Sequence, residues 1–259
     1  MLTIPLMILL PPDAYLLIGA ALLIVLSVVA LRCAHCLRRM YLRAGLLAVV
    51  LFLWYFYLYG TFVGPYQIKV NHLDLTFDDL PPAFDGYTIV QFSDAHVGTM
   101  TGRREAILRQ VVDSINAQHA DMVVFTGDLQ NKEPQEVEAF MPLLSAITAR
   151  DGVFSVLGNH DYTMYLHTDD PYILSRNMGM TISQQADMGW TLLNNSRHIL
   201  RRDSARLVIA GMENDGEGRF PQLGDVNAAL WGISRRDFVI MLEHDPTAWR
   251  RKILRHSHA

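Results

Sequence analysis

Four short segments of this chain carry the residues that could do chemistry. They read Ser93-Asp94-Ala95-His96, Gly127-Asp128, Gly158-Asn159-His160-Asp161 and Glu243-His244-Asp245. Their carboxylate and amide oxygens and imidazole nitrogens suit Mn, Fe, Zn or similar divalent ions, whereas an all-oxygen set would favour Mg or Ca. A carboxylate can bridge two ions about 3.5–4 Å apart, an arrangement that clamps a phosphoryl group during in-line attack. The residue types therefore predict a dinuclear metal site.

Each segment follows an apolar run that is typical of a buried strand. The runs are short, rich in β-branched or aromatic residues and closed by glycine or polar residues, which favours strand over helix. They cover Thr88–Phe92, Met122–Phe125, Val153–Leu157 and Phe238–Leu242. Between the first three runs, apolar residues at helical spacing predict helices over Arg103–Gln118 and Pro134–Ala149. This alternation predicts a largely parallel sheet, whose strand carboxyl ends bring the four segments to one edge.

The remainder of the chain predicts a second sheet and a cap. Strand patterns occur at Thr191–Leu200, Arg206–Ala210 and Phe238–Leu242. Tyr162–Asp187 is rich in aromatic and Met residues, which either cover the cleft as a helical cap for an apolar leaving group or belong to the core. Gly211–Asp215 either brings carboxylates to the cleft or forms a turn before a helix starting near Asp225. The predicted fold class is α/β, a two-sheet β-sandwich flanked by helices.

The ordered set of motifs resembles a known enzyme family. Asp94-x-His96, Gly127-Asp128, Gly158-Asn159-His160-Asp161 and His244, taken together, are similar to the calcineurin-like metallophosphoesterases from Tyr87 to the C-terminus. The resemblance implies the same two-sheet sandwich, with two divalent metal ions (Mn, Fe, Zn or similar) as cofactors. It implies that Asp94 and His96 bind the first ion. Asp128 bridges both ions in this scheme, and Asn159 with His244 binds the second.

The resemblance also implies roles for the two residues that follow Asn159. His160 is not a ligand in this scheme: it stabilises the phosphoryl charge or protonates the leaving oxygen, and Asp161 orients it. A carboxylate beside an imidazole favours the protonated ring and fixes which nitrogen faces the substrate. The implied reaction is hydrolysis of a phosphomonoester, phosphodiester or pyrophosphate by a metal-bridging hydroxide, because coordination lowers the pKa of water.

The C-terminus departs from the family pattern. Family members carry a final Gly-His-x-His motif beyond the position of His244, and its histidines complete both metal shells, whereas this chain stops at Ala259. The terminal His256 and His258 lack the preceding glycine, so we interpret them as a solvated tail, with substitution for the missing ligands as the alternative. We therefore expect a C-terminally incomplete domain. A non-catalytic metal-binding or scaffold protein derived from this fold is the alternative function.

Two long apolar stretches precede the domain. Ala14–Leu31 and Ala44–Ile68 carry no charged residue and reach the length that crosses a bilayer core. We place transmembrane helices at about residues 14–31 and 44–64; two buried globular helices are the alternative, which the lack of any polar face disfavours. Positive charge crowds the connection, at Arg32, Arg38, Arg39 and Arg43. This predicts a cytoplasmic connection and an extracytoplasmic domain, in a bacterium on the outer side of the inner membrane.

Composition agrees with an anchor followed by one domain. We expect residues 1–68 to form the anchor and residues 69–259 the phosphoesterase domain, which is long enough to bury a sizeable core. The formal net charge of −4 argues against a dedicated nucleic-acid partner. The expected partners are the membrane and a phosphate-ester substrate, and the anchor extends the substrate class to lipid-linked esters.

Overall fold

The computed structural model describes residues 12–36 and 40–256. The chain divides into two compact units, Met1–Lys69 and Val70–Ala259. Each unit has its own pattern of burial, so each is described separately below.

The N-terminal unit is a pair of apolar helices, α1 (Pro12–Cys36) and α2 (Met40–Phe62). Trp54 Nε1 donates to Ser27 Oγ at 2.9 Å, and Tyr57 Oη donates to the Leu16 carbonyl at 2.5 Å, so the two helices contact each other. The segments Tyr15–His35 and Met40–Tyr66 are long and apolar enough to cross a membrane, and 0% of their most apolar windows is buried. This outward apolar surface differs from that of buried globular helices and suits lipid. Arg38 and Arg39 lie outside the described residues.

The second unit contains a parallel sheet, as the alternation of strand and helix patterns predicted. Its described strands are β1 (Ile89–Phe92), β2 (Met122–Thr126), β3 (Val153–Val156) and β4 (Trp190–Leu192), side by side in chain order. All three pairings are parallel, with Phe92 beside Phe125 and Phe125 beside Ser155. The carboxyl ends of β1, β2 and β3 therefore meet at one edge.

A second sheet contains β5 (Ser196–Arg202), β6 (Ala205–Gly211) and β7 (Phe238–Leu242). β5 and β6 form an antiparallel hairpin, and β7 pairs parallel to β6 with Leu242 beside Gly211. The prediction of one strand over Thr191–Leu200 is wrong, because Trp190–Leu192 joins the first sheet and β5 joins the second. Asn195, with φ 46°, turns the chain between them, a left-handed conformation that Asn adopts more readily than most residues.

The described helices of this unit are α3 (Glu105–Asn116), α4 (Met141–Leu144), α5 (Pro171–Asp187) and α6 (Val226–Ala229), and a π-helical turn covers Trp249–Ile253. The helix predicted over Arg103–Gln118 is confirmed as α3. The single helix predicted over Pro134–Ala149 is wrong: a 3-10 helix covers Pro134–Phe140, and α4 follows it. Pro142 explains the break, since its ring would clash with a carbonyl of the preceding turn in a continuous α-helix.

The side chains of β2 show how the first sheet is buried on both faces. Val123 and Phe125 pack with Leu108 of α3 and Leu144 of α4. Met122 and Val124 point to the opposite face, where they pack with Leu207 and Ile209 of β6. The alternation places β2 in the middle of the sandwich, so the loop that follows it begins at a rigidly held strand end.

Candidate metal centre

Asp128 is the centre of the candidate site. Its Oδ2 lies 3.6 Å from His96 Nε2, 3.9 Å from His160 Nε2 and 3.5 Å from His244 Nε2. Asp94 joins the group through its Oδ1, which lies 3.7 Å from His96 Nε2. Loops after β1, β2, β3 and β7 thus bring five of the seven predicted site side chains together.

Among the described residues, these side chains form two overlapping triads that could each hold a metal ion. One triad is His96, Asp128 and His160, and the other is Asp94, Asp128 and His244, with ligand atoms within 4.8 Å of one another in each. Asp128 is common to both triads, which is the placement that a bridging carboxylate requires. His160 belongs to one triad, so its position suits either a ligand or a group that contacts the phosphoryl oxygens.

The site backbone adopts an unfavourable conformation at three of these residues. Asp94, His96 and Asp128 have φ values of 55°, 39° and 64°, in the left-handed region. Such a conformation costs roughly 1–3 kcal/mol per non-glycine residue and persists only where the surroundings enforce it. Here they do: Asp94 N donates to the Gly127 carbonyl at 2.9 Å, and His96 N donates to the Asp128 carbonyl at 3.1 Å. These bonds join the loop after β1 to the loop after β2.

Two glycines allow the loops after β2 and β3 to touch. A Cβ atom on Gly127, which has φ +96°, would lie 2.5 Å from Gly158 N and 2.9 Å from His244 Nδ1. A Cβ atom on Gly158 would lie 2.6 Å from Asp128 N and nearer still to Asp128 Oδ1. The glycine in each motif is therefore required by close approach of the loops.

Asp161 contacts backbone groups and not the His160 ring that the resemblance implied. Its fully buried carboxylate accepts hydrogen bonds from the backbone nitrogens of Asp128 (2.8 Å), Leu129 (3.0 Å), Gln130 (3.3 Å) and Gly158 (2.9 Å). Burial raises its pKa to about 6, although the N–H donors of Gly158, Gln130 and Asp128 oppose the rise. None of the hydrogen bonds of the described residues joins the Asp161 carboxylate to the His160 ring, the contact that the resemblance implied; its hydrogen bonds instead join the loops after β2 and β3.

The His160 ring is oriented by other groups. Its Nδ1 lies 2.6 Å from the Asn131 carbonyl, and its backbone nitrogen donates to Asp128 Oδ1 at 2.9 Å. His244 is arranged similarly, with Nδ1 2.7 Å from the Thr126 carbonyl. A carbonyl oxygen only accepts, so Nδ1 of each ring carries the hydrogen. Nε2 of each ring is then the nitrogen that faces Asp128 and could bind a metal or a phosphoryl oxygen.

Asn159 occupies the position before His160 and contacts a tyrosine. Its Nδ2 donates to Tyr165 Oη at 3.2 Å and lies 4.0 Å from Met164 Sδ. The Tyr165 ring stacks on His160, with centroids 4.0 Å apart and an interplanar angle of 24°. Tyr165 lies within the aromatic-rich segment that the sequence left open as cap or core, and nothing in its spacing distinguished it from the other aromatic residues.

The donor set fits divalent metal ions. Asp128 is 3% exposed, and among the side chains that the structure describes no Lys or Arg forms an ion pair with it or with Asp94. A buried carboxylate without such a partner is costly unless it binds a cation. Converging imidazole Nε2 atoms and carboxylate oxygens supply the mixed N/O set that Mn, Fe and Zn accept.

The predicted cap takes a different form. Helix α5 buries polar side chains against the site loops: Gln184 Nε2 donates to the Pro134 carbonyl at 2.9 Å, and Thr181 Oγ1 donates to Gln130 Oε1 at 3.1 Å. Gln130 Nε2 in turn donates to the His160 carbonyl at 3.1 Å. α5 therefore supports the site loops through hydrogen bonds, a role that aromatic and Met content did not indicate.

Residues of the segment Gly211–Asp215 belong to two separate networks, one of hydrogen bonds and one of ion pairs. Tyr162 Oη donates to Glu213 Oε1 at 3.2 Å, and burial raises the pKa of both Tyr162 and Glu213. Asp215 is fully buried and pairs with Arg251 and Lys252. The helix expected near Asp225 is confirmed as α6, whose N-terminus Asp225 caps through the Ala228 nitrogen.

The terminal histidines fall outside the triads. His256 Nε2 lies 3.1 Å from Asn227 Oδ1, and His256 belongs to neither potential metal group of the described residues. His258 lies outside the described residues.

Comparison with known proteins agrees with this geometry. Residues 87–257 match the family model described as calcineurin-like phosphoesterase. The chain is 29% identical over 195 residues to the uncharacterized metallophosphoesterase YkuE of Bacillus subtilis, covering 74% of this chain and 62% of that protein. It is 28% identical over 204 residues to a transmembrane protein with metallophosphoesterase domain of Danio rerio, covering 75% of this chain and 43% of the relative.

A third relative has a named activity. UDP-2,3-diacylglucosamine pyrophosphatase LpxG of Chlamydia muridarum is 29% identical over 114 residues, covering 44% of this chain and 34% of that protein. The chain thus spans 34% to 62% of the length of these three relatives. The family match covers most of the chain and contains every residue of the two triads. The chain therefore belongs to the calcineurin-like phosphoesterase family.

Proposed function

We propose that this protein is a membrane-anchored hydrolase of phosphate esters. Membership of the calcineurin-like phosphoesterase family supports phosphoester hydrolysis as the class of reaction. The observation that carries the proposal is the convergence of three imidazole Nε2 atoms, 3.5–3.9 Å away, on one buried carboxylate oxygen of Asp128. The substrate is a phosphomonoester, a phosphodiester or a pyrophosphate.

In this proposal the loops after the strands supply the ligands of two metal ions. Following the assignment that the resemblance implies, Asp94 and His96 would hold one divalent ion, Asn159 and His244 would hold a second, and Asp128, which is common to both triads, would serve both. When bound, such ions supply Lewis-acid chemistry, polarising phosphoryl oxygens and acidifying water. The Thr126 carbonyl keeps the hydrogen of His244 on Nδ1, which leaves the Nε2 lone pair for the ion.

His160 acts on the substrate rather than on a metal. The Asn131 carbonyl holds its Nδ1 hydrogen, so a second proton on Nε2 gives a cationic ring beside the phosphoryl group. That proton stabilises the developing charge or passes to the leaving oxygen. Asp161 contributes indirectly, because its hydrogen bonds to the backbone hold Asp128 and Gly158 at fixed separation.

The two apolar helices bear on where the protein is located and on which substrates it meets. The two apolar helices and the Danio rerio relative named as a transmembrane protein support association with a membrane. Arg32 and Arg43 flank the connection between the helices, which supports a cytoplasmic connection and an extracytoplasmic domain, in a bacterium at the inner membrane. The diacylated substrate in the name of LpxG supports lipid-linked phosphate esters as the substrate class. We propose no nucleic-acid partner.

The test is hydrolysis of bis-p-nitrophenyl phosphate and p-nitrophenyl phosphate with added Mn²⁺ by the full chain in detergent. We expect Asp128→Asn and His160→Ala to lose at least about 100-fold in kcat, the scale of a missing catalytic group. Asp113→Asn and His72→Ala change the same residue types at exposed positions and should stay within about twofold of wild type.

Two outcomes would count against the proposal. A lack of Mn²⁺-dependent hydrolysis by the wild-type protein would contradict the proposed enzymatic activity. Mn²⁺ binding without turnover would favour the alternative of a non-catalytic metal-binding scaffold. The topology is tested separately with alkaline phosphatase fused after Ala259, which is active only outside the cytoplasm. An inactive fusion would overturn the proposed orientation.

A further inference from the structure

Tyr165 touches both site residues of the loop after β3. Its hydroxyl accepts a hydrogen bond from Asn159 Nδ2 at 3.2 Å, and its ring stacks on His160 with centroids 4.0 Å apart. Asn159 is a proposed metal ligand, and His160 is proposed to act on the substrate. One side chain is therefore placed to influence both.

The backbone around Tyr165 is held in a tight, unusual turn. The 3-10 helix Met164–Leu166 is bounded by Thr163 and His167, whose φ values are 61° and 54°. A β-branched residue such as Thr163 in the left-handed region is a strained arrangement, and Thr163 is only 2% exposed. Strain of this kind is typical of segments that position functional side chains.

The contacts of the Asn159 amide determine which end faces Tyr165. The nitrogen side lies 3.2 Å from Tyr165 Oη and 4.0 Å from Met164 Sδ, and a thioether sulfur only accepts hydrogen bonds. Turning the amide over would place its oxygen against that sulfur. Among the described residues no donor reaches the Asn159 oxygen, so it stays available as a hard ligand for a divalent ion.

The His160 ring is confined on several sides. The Asn131 carbonyl fixes Nδ1 at 2.6 Å, Tyr165 covers one face, and His96 approaches edge-on with centroids 4.4 Å apart. Stacking restricts rotation of the ring about its second side-chain torsion. It thereby keeps Nε2 directed at Asp128.

We infer that Tyr165 is a positioning residue of the metal centre. Its hydroxyl orients the Asn159 oxygen toward the second metal ion, and its ring holds His160 in line with the substrate. The inference rests on the proposed function for the roles of Asn159 and His160. Outer contacts of this kind typically change metal affinity by 10- to 100-fold.

The hydroxyl is tested by Tyr165→Phe, which keeps the stacked ring and removes only Oη. The full chain in detergent is titrated with Mn²⁺ by calorimetry, so that the readout is binding and not turnover. We expect about a tenfold weaker second Mn²⁺ site. Tyr172→Phe is the matched control, because Tyr172 is 74% exposed and should leave Mn²⁺ binding unchanged.

The ring is tested by Tyr165→Leu, measured with phosphate esters whose leaving groups differ in pKa. A displaced proton donor matters most for poor leaving groups, so the loss of kcat should grow as the leaving-group pKa rises. A merely structural role would lower kcat equally for all esters. Should Tyr165→Leu fail to fold, the titration of Tyr165→Phe decides the inference alone.

The results separate this inference from the proposed function. Hydrolysis by wild type together with unchanged Mn²⁺ affinity in Tyr165→Phe would overturn the inference and leave the proposed function standing. Mn²⁺ binding that weakens in Tyr165→Phe without any hydrolysis by wild type would support the positioning role and contradict the proposed function. A wild-type protein that binds no Mn²⁺ would overturn both.

Discussion

The carboxylate of Asp161 accepts a hydrogen bond from the backbone nitrogen of Asp128 at 2.8 Å, and both residues are buried. The loops that carry them are joined in the reverse direction as well, because His160 N donates to Asp128 Oδ1 at 2.9 Å. The central carboxylate of the candidate metal centre is therefore held by an exchange of hydrogen bonds between the loops after β2 and β3. Its left-handed backbone, with φ 64°, is maintained by this exchange.

Asp161→Asn is expected to destabilise the fold and the site together. Each oxygen of Asp161 accepts from two backbone nitrogens, so an amide in either orientation sets its NH₂ group against two N–H donors. Leaving buried donors unpaired costs about 1–3 kcal/mol each, and we expect a loss of about 3 kcal/mol in unfolding free energy. Urea unfolding measures it. Unchanged stability with an altered pH–rate profile would instead return Asp161 to the role of orienting His160.

Gly158→Ala is expected to separate the same two loops. The φ of Gly158 is −98°, so the backbone tolerates alanine, and the effect is steric: the new Cβ would lie 2.6 Å from Asp128 N. We expect a loss of about 1–3 kcal/mol in stability and at least a tenfold fall in kcat. Gly179→Ala in α5 is the control, since nothing lies within 4 Å of its Cβ. It should gain about 0.5–1 kcal/mol. Equal behaviour of the two variants would contradict the close contact of the loops.

The sequence predicted the parts of this protein that follow from strand pattern. Apolar runs followed by Asp94, Asp128 and Asn159 predicted a parallel sheet, and a parallel sheet brings its carboxyl ends together whatever the details of the loops. The sheet also explains why the triads share Asp128, because Asp128 follows β2, the strand that lies between β1 and β3. The two N-terminal helices were predictable for a similar reason, because length and absence of charge alone define them.

The features that were missed depend on contacts across the fold. Hydrogen bonds from backbone nitrogens to the Asp161 carboxylate have no sequence signature, since any residue except proline supplies such a donor. Tyr165 was one aromatic residue among several in its segment, and only its stacking on His160 identified it. The run Thr191–Leu200 looked continuous because periodicity does not report the sheet to which a strand belongs.

The ion pair of Asp121 predicts a dependence of stability on pH. Asp121 Oδ2 accepts from Thr88 N at 2.8 Å, and its Oδ1 lies 2.6 Å from Arg150 Nη2. Burial alone would raise the pKa of Asp121, but the hydrogen bonds from Thr88 and Arg150 and the Arg150 charge hold it below its ordinary value. A carboxyl pKa that is lower in the folded state stabilises above the unfolded value of about 4, and this contribution is lost as pH falls through the folded value.

Asp121→Asn should therefore lower the unfolding free energy by about 1 kcal/mol at neutral pH, and the difference from wild type should shrink as pH falls below the ordinary carboxyl pKa of about 4. Urea unfolding of both proteins at several pH values checks this. A difference that stays constant with pH would show that packing, and not the ionised carboxylate, is what the substitution removes.

Asp215→Ala is expected to affect His244 from a distance. Asp215 is fully buried and pairs with Arg251 Nη2 at 2.6 Å and Lys252 Nζ at 2.8 Å, while its backbone nitrogen donates to Glu243 Oε1 at 2.9 Å. Burial raises the pKa of Glu243 to about 8, with the charges of Asp245 and Asp215 adding to the rise. This cluster joins the end of β6 to the C-terminal turn and to the residue before His244.

Removing Asp215 leaves two cations without their partner, which costs about 3–5 kcal/mol for a fully buried pair. Arg251 and Lys252 are partly exposed, with side chains 29% and 37% accessible, so we expect a smaller loss of about 2–3 kcal/mol. Mn²⁺ affinity should fall in parallel, because loss of the two ion pairs releases the loop whose residue-215 backbone nitrogen donates to Glu243, the residue before His244. Asp113→Ala on the exposed side of α3 should change neither quantity. Lower stability with unchanged Mn²⁺ affinity would show that the cluster supports the fold alone and that His244 is held by the Thr126 carbonyl without its help.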